Sequence, residues 1–347
     1  MKYLFPYLPL CLALIFSTPS HAAGYIQRAD VQAFIDEMVN TQGFDRTALY
    51  GLFHAAEPIP SVLRAIRPPA DPGIRSWRAY RSRFVEPTRI MAGKQFMQRY
   101  ASELAAAQTR FGVPAEIITA IIGIETIYGQ HMGNYNTFAA LATLAFDYPP
   151  RAELFRRELV NLLLLAREEN RPVLSYTGSY AGAIGWPQFM PSSMRQYALD
   201  FDNDGKVDLT ASPVDAIGSA ANFLAEHGWQ KGGPIAEKIT VSGDGIQALL
   251  DEGIKPQRLP SEFSTRQVEI QKVPAGTHSA GAGETAANTQ LSDQPAALID
   301  LVTPDAPTEY RLGYQNFYVI TRYNRSSFYA AAVMDLAEAL KDPLIDQ

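Results

Sequence analysis

From Val113 to Gly129 the chain reads Val-Pro-Ala-Glu-Ile-Ile-Thr-Ala-Ile-Ile-Gly-Ile-Glu-Thr-Ile-Tyr-Gly. Pro114 suits the first turn of a helix and Gly129 its end. Ile118, Ile121 and Ile122 lie seven, four and three positions before Glu125, so one helix face carries three isoleucines and a carboxylate. The carboxylate thus shares the apolar face of its own helix. Material for a sizeable core is ample: 347 residues, 47% hydrophobic and 19% charged. At about 150 residues per domain, that length points to two or three domains. Gly and Pro, 24 each, fall well short of a low-complexity composition. Thirty basic against thirty-six acidic residues give a formal charge of -6. A mildly acidic chain lacks the basic footprint of a nucleic-acid binder, so no nucleic-acid partner is expected.

The N-terminus carries Lys2, an apolar stretch from Leu8 to Phe16, and Ser20-His21-Ala22 as a small-residue cleavage site. This reads as a secretory signal spanning residues 1–23, cut near Ala22 or Ala23. Its apolar core is too short for a stable transmembrane helix. The one cysteine, Cys11, lies inside it. A mature chain without cysteine holds no disulfide, no thiolate metal site and no cysteine nucleophile. Leu10 precedes Cys11 where a bacterial lipoprotein signal has a small residue, which argues against a lipid anchor. The expectation is an exported, soluble protein stabilised by packing.

Along the mature chain, Val31, Phe34 and Met38 form a helical stripe after Asp30, a candidate N-cap. The proline-broken stretch from Pro58 to Pro72 reads as loop or short helices. Trp77, Tyr80 and Phe84 are spaced three and four apart, a stripe that core packing alone would explain. Further helices are expected at about 151–169 and 214–227. After Gly232-Gly233-Pro234 the texture changes to short strands at Lys238–Ser242, Gln267–Val273 and Leu298–Val302. The Ala-, Gly- and Thr-rich segment at 274–288 reads as a flexible loop. Phe317–Thr321 reads as a last strand, and Phe328–Leu340 as a closing helix.

Glu125 is the most informative residue. On an apolar face a carboxylate loses hydration, which raises its pKa. A carboxylic acid still protonated near neutral pH suits general acid catalysis at a glycosidic oxygen. The purely structural alternative is an ion pair with Arg151 or Arg156. A second clue is Gly182-Ala-Ile-Gly-Trp-Pro-Gln188. Small residues let a flat polymer approach the backbone, Trp186 offers a stacking face, and Gln188 offers a donor and an acceptor. A tight turn with Trp186 in the core explains the segment equally well. The serines nearby lack the G-x-S-x-G spacing of a nucleophile elbow. A third is Asp200-Phe-Asp202-Asn-Asp204-Gly205, which matches the start of a calcium-binding EF-hand loop. Position 12 is Ala211 instead of Glu, and Asp215 offers a closing ligand through a longer loop. A solvated acidic turn is the alternative. The five histidines show no paired spacing, so no zinc site is expected.

Several short runs, in order over nearly the whole mature chain, resemble the lytic murein transglycosylase B family. They are Trp77-Arg-Ala-Tyr80-Arg, Gly123-Ile-Glu125-Thr-Ile-Tyr-Gly129, Asp147-Tyr-Pro-Pro-Arg151-Ala, Gly182 to Ser193, Asp200 to Gly205, Pro213-Val-Asp-Ala-Ile-Gly218 and Ile320-Thr-Arg-Tyr-Asn324. The resemblance implies a mainly α (α+β) fold: a goose-lysozyme-like catalytic core, a helical domain built from both chain ends, and a small inserted β domain. On the residue texture these become 24–107 and 312–347 for the helical domain, 108–232 for the core with its calcium loop, and 233–311 for the β domain. The resemblance makes Glu125 the single catalytic acid and base, with Ser179 orienting it and Gln188 holding an N-acetyl sugar. Tyr80, Arg151, Tyr323, Asn324 and Tyr329 would line the glycan groove, and Asp200, Asp202, Asp204 and Asp215 would hold a structural Ca2+. No organic cofactor is implied. The expected partners are peptidoglycan strands in the periplasm and other cell-wall enzymes, met by a monomer. Two departures stand out: Pro150 replaces a second arginine common in the family, and the calcium loop is one residue longer than usual.

Ordinary glycoside hydrolysis uses two carboxylates. No second one is evident beside Glu125, and the resemblance names the C6 hydroxyl of N-acetylmuramic acid as an internal nucleophile. The implied product is a 1,6-anhydromuramoyl end, formed by breaking the β-1,4 bond to N-acetylglucosamine without water. The rivals are a hydrolytic lysozyme on the same fold and a non-catalytic peptidoglycan-binding scaffold.

Overall fold

A computed structural model of the protein describes residues 24–68, 75–273 and 290–341. The expected signal at 1–23 and the expected loop at 274–288 lie outside the described residues. The chain divides into two compact units, one ending at Pro58 and one beginning at Ile59.

The first unit contains helices α1 (Ala29–Gln42) and α2 (Arg46–Ala55) after a short turn at Tyr25–Gln27. Val31, Phe34, Ile35 and Met38 of α1 are buried, as the stripe predicts. Phe53 of α2 meets Phe34 and Tyr25 edge-on, at 5.8 and 6.2 Å between ring centres. Asp30 is not the cap: α1 starts before it, and its carboxylate binds Arg28 and the Val31 amide. In the first turn an acidic side chain still complements the helix dipole.

The second unit begins with α3 (Pro60–Ile66), α4 (Trp77–Phe84), α5 (Pro87–Arg99), α6 (Ala101–Phe111) and α7 (Ala115–Thr126). There follow β1 (Tyr135–Asn136), α8 (Thr137–Asp147), α9 (Ala152–Glu168), β2 (Thr177–Gly178), α10 (Pro191–Tyr197) and α11 (Pro213–Glu226). Next come β3 (Ala236–Ser242), α12 (Ile246–Asp251), β4 (Glu269–Lys272), β5 (Ala297–Leu301) and β6 (Glu309–Gly313). The chain closes with α13 (Gln315–Tyr323) and α14 (Ser327–Lys341).

Every residue of α7 from Ile117 to Ile124 is buried, and Thr126 with them. The helix is therefore enclosed on all sides, packed by α5, α6, α11 and α14. Short β1 and β2 pair antiparallel beyond its end, Tyr135 opposite Gly178. The four-stranded sheet has the order β4-β3-β6-β5, all antiparallel, with Ile239 opposite Tyr310. Ile239, Leu249, Phe263, Val268, Leu298, Leu312 and Tyr314 make its own small core.

One expectation about the C-terminal third is corrected, and one strand is new. Phe317–Thr321 is not a strand but the middle of α13. Its β-branched and aromatic residues suit a strand, yet Asn316, Phe317, Val319, Ile320 and Thr321 are buried with helical spacing. Asn316 anchors the helix start: it accepts from the Gln230 amide at 2.7 Å and donates to the Gln230 and Gly233 carbonyls. A fully satisfied buried amide of this kind outweighs a local strand preference. The new strand is β6, which no sequence pattern announced. It lies inside the sheet and buries Arg311, whose charge is met by Asp335 of α14 at 2.9 Å and by Glu309 at 2.6 Å.

Candidate active site

Glu125 sits one residue before the end of α7. Its side chain keeps some exposed surface, while its carboxyl lies deep enough for burial to push the pKa from 4.5 up to about 7. Tyr329 of α14 donates its hydroxyl to Glu125 Oε1 at 2.7 Å, which partly offsets that rise. Among the described residues no arginine pairs with Glu125; Arg151 is exposed and rests over Phe155. The groups that feel the Glu125 charge are phenols. Burial first, and the Glu125 charge second, raise the pKa values of Tyr80, Tyr323 and Tyr329. Tyr323 and Tyr329 stack nearly parallel, 6.4 Å apart and 11° between planes. Tyr80 meets the site through Phe328, the neighbour of Tyr329, at 5.6 Å.

The backbone just past Glu125 is unusual. Ile127 and Tyr128 both have left-handed φ values, 50° and 54°. For a β-branched residue this is a strained conformation that the surroundings must hold. Thr126 helps hold it, donating to the Trp186 carbonyl at 3.0 Å and accepting from the Gly129 amide at 3.0 Å. Gly129, at φ 82°, lies against the Trp186 ring, where an added Cβ would come within 2.6 Å of a ring carbon.

The loop bearing Trp186 closes as a tight hairpin, Ile184 and Phe189 exchanging amide bonds of 2.8 and 3.1 Å. Trp186 donates its indole N–H to the Thr210 carbonyl at 3.1 Å and packs near Phe96. The indole is half-buried: its N–H is anchored, and part of the residue stays exposed. Gln188 adopts φ 51° and spends its Nε2 on the Met132 and Gly185 carbonyls, while its Oε1 accepts from no described residue. Tyr323 donates to the Pro187 carbonyl at 2.7 Å, joining α13 to this loop.

Glu125, Tyr80, Tyr323, Tyr329 and the Gln188 loop thus converge from α7, α4, α13, α14 and the 184–189 hairpin. Asn324 is exposed just past α13, next to Tyr323. Ser179 does not reach Glu125 by hydrogen bond here; its Oγ accepts from the Ala183 amide at 3.1 Å. Arg151 rests over the Phe155 ring and is not brought into the cluster. On sequence alone Thr126 and Tyr128 are given no role; their places one and three residues after Glu125 are the signal that could have found them.

The acidic loop joins α10 to α11. Ligand oxygens of Asp200, Asp202 and Asp204 lie within 4.8 Å of one another, the one such group among the described residues. Gly205, at φ 88°, turns the chain there, and its amide donates to Asp200. Asp215 stands apart from that group. It is buried, and its two oxygens accept the Phe201 and Asp208 amides at 2.8 Å each.

The transglycosylase SLT domain family matches residues 27–338. Membrane-bound lytic murein transglycosylase B of Escherichia coli is 40% identical over 327 residues, covering 91% of this chain and 84% of that protein. The soluble lytic transglycosylase SltB1 of Pseudomonas aeruginosa superposes with a TM-score of 0.79 at 41% identity, over 90% of this chain and 98% of that one. The Escherichia coli lytic transglycosylase Slt35, solved in complex with calcium, superposes at 0.72 with 39% identity, over 89% and 91%.

Proposed function

The chain belongs to the lytic murein transglycosylases of the SLT domain family, and from that premise we propose that Glu125 alone carries its proton chemistry. The protein is a peptidoglycan lytic transglycosylase, a lyase acting on glycan strands, with the mainly helical, lysozyme-like architecture of its relatives. Membership in an enzyme family sets the scaffold alternative aside.

The observation that carries the mechanism is a single buried carboxyl, with a pKa of about 7, surrounded by phenols. Protonated Glu125 gives its proton to the oxygen leaving from C1 of N-acetylmuramic acid, and that C1–O bond breaks. The C6 hydroxyl bonds to C1 and returns a proton to the Glu125 carboxylate. The acid is restored, no water is consumed, and the product ends in 1,6-anhydromuramic acid. A hydrolase would need a second carboxylate across the sugar. In this reading Tyr329 holds the carboxyl in place, Tyr80 and Tyr323 wall the sugar, and Gln188 Oε1 accepts from an acetamido N–H. Asn324 and Arg151 contact the glycan further along the groove; the orienting role expected of Ser179 falls to Tyr329, because Ser179 Oγ is taken by the Ala183 amide.

The oxygen donors of Asp200, Asp202 and Asp204 suit a hard cation, and calcium in a relative's structure favours Ca2+. Bound there, the ion would stabilise the loop without entering the chemistry, and Asp215 would shape the loop from beneath. Among the described residues no helix is long and apolar enough to cross a membrane. We assign the enzyme to the periplasm through the leader at 1–23. We likewise propose the division at 232/233; 107/108 falls inside α6 and 311/312 inside β6, so those two divisions move to the ends of these elements.

Mass spectrometry of soluble products from purified sacculi tests the reaction. Wild type should release anhydro-ended fragments, and Glu125→Gln should reduce release by about 10³-fold or more. Reducing-end products from wild type would instead make the enzyme a hydrolase.

A further inference from the structure

Arg89 is the third residue of α5, and elementary preferences oppose it there. Its guanidinium is buried, 7% exposed, and burial pulls its pKa down. It sits at the positive end of its own helix. The nearest carboxylate, Glu86, is 3.5 Å away and partly exposed. What Arg89 does contact is backbone. Nε donates to the Gly123 carbonyl at 2.9 Å, and Nη1 donates to the carbonyls of Arg83 at 2.5 Å and Phe84 at 3.3 Å.

Those carbonyls belong to two helices of the site. Arg83 and Phe84 end α4, where carbonyls have no further turn to bind; Tyr80 lies one turn earlier. Gly123 precedes Glu125 by two residues, and its carbonyl also accepts the Ile127 amide that closes α7. One planar fork therefore joins the end of the Tyr80 helix to the last turn of the Glu125 helix. Beside it, the Tyr128 ring wedges between α5 and α7. An added Cβ on Gly93 or Gly123 would lie 2.2 or 2.4 Å from its hydroxyl oxygen. That hydroxyl is buried with no hydrogen-bond partner among the described residues, so the wedge acts by packing and the fork by hydrogen bonds. Both act where Ile127 and Tyr128 hold strained backbone.

We propose that Arg89 is a positioning residue for the reaction. Through the Gly123 carbonyl it fixes the last turn of α7, and through the end of α4 it sets Glu125 against the Tyr80 wall. The proposal rests on Glu125 being the acid and base. Lysine has the charge but not the fork, so it cannot reach both helices as arginine does. Misplacement of a reacting group by about 1 Å costs on the order of a hundredfold in rate.

Kinetics on a soluble N-acetylglucosamine–N-acetylmuramic acid oligomer, with wild type, Arg89→Lys and Arg89→Met, test it. Both variants should lose about tenfold or more in kcat with KM within about twofold. In a Glu125→Gln background, Arg89→Met should leave oligomer affinity within about twofold, since Arg89 orients the acid and does not bind sugar. If Arg89→Met fails to fold by circular dichroism, Arg89→Lys carries the test. A folded variant with kcat within twofold of wild type would overturn the proposal, as would a loss appearing wholly in KM. Wild type active while Glu125→Gln is equally active would remove the Glu125 reading itself, and this proposal with it; the two failures are told apart by that control.

Discussion

At the scale of one residue, the Glu125 carboxyl sets both rate and stability. Its folded pKa of about 7 exceeds the ordinary 4.5, so the folded state binds a proton more readily than the unfolded chain. The acid form starts the reaction; the rate should therefore be flat on the acid side and fall as pH rises through about 7. The Tyr329 hydrogen bond lowers that pKa. Tyr329→Phe should move the alkaline fall upward by about one pH unit and cut the rate about tenfold, since a hydrogen bond to a charged group is worth roughly 1.5–3 kcal/mol. A pH–rate profile that stayed in place would exclude this role. Stability follows the same proton. The group's contribution is fullest below about pH 4.5 and declines as pH rises through 7, by about 3 kcal/mol in total. Glu125→Gln, which has no such proton, should melt above wild type at pH 8, with the gap closing toward pH 5. Melting curves at the two pH values check this, and a pH-independent gap would contradict it. Position on an apolar helix face already foretold the raised pKa, because that pattern is local. The phenolic partner, 204 residues away in sequence, was not foretold as a hydrogen-bond donor.

Among the elements, the acidic loop and the hairpin at 184–189 form one mechanical unit. The loop runs through Asp208 into Leu209 and Thr210, whose carbonyls hold the Trp186 amide and indole at 2.9 and 3.1 Å. Trp186 in turn braces Gly129 and receives Thr126, beside Glu125. Three carboxylates this close repel one another unless a cation joins them. Calcium at about a hundred times its Kd should stabilise the fold by about 2.7 kcal/mol. Melting with calcium and with chelator should therefore differ by several degrees, and Asp202→Ala should abolish the difference. Equal melting temperatures in wild type would refute calcium binding. Spacing alone announced the loop, since Asp-x-Asp-x-Asp-Gly is a local code. The orientation of Asp215 was not local: two amides from Phe201 and Asp208 decide where its oxygens point.

For the whole second unit, α14 is the element that ties sheet and site together. It packs on α4, α5 and α7, carries Tyr329 near its start, and presents Asp335 to Arg311 of β6 and to Arg81 of α4. Asp335→Asn would leave the Arg311 guanidinium buried with only Glu309 opposite. The expected loss is about 2 kcal/mol or more, read as a lowered melting temperature; an unchanged one would show the pair to be dispensable. The sequence by itself determined what depends on near neighbours: the apolar face of α7 with Glu125 on it, the acidic turn, most helix positions, and the family runs. Tertiary structure decided what depends on distant partners. It made Phe317–Thr321 a helix, because Asn316 is held by Gln230 and Gly233 and the next residues are buried at helical spacing. It made Glu309–Gly313 an inner strand, because a charge on α14 meets Arg311. Local patterns record which face of an element is apolar; they carry no record of which far segment will satisfy a buried amide, a guanidinium or a carboxylic acid.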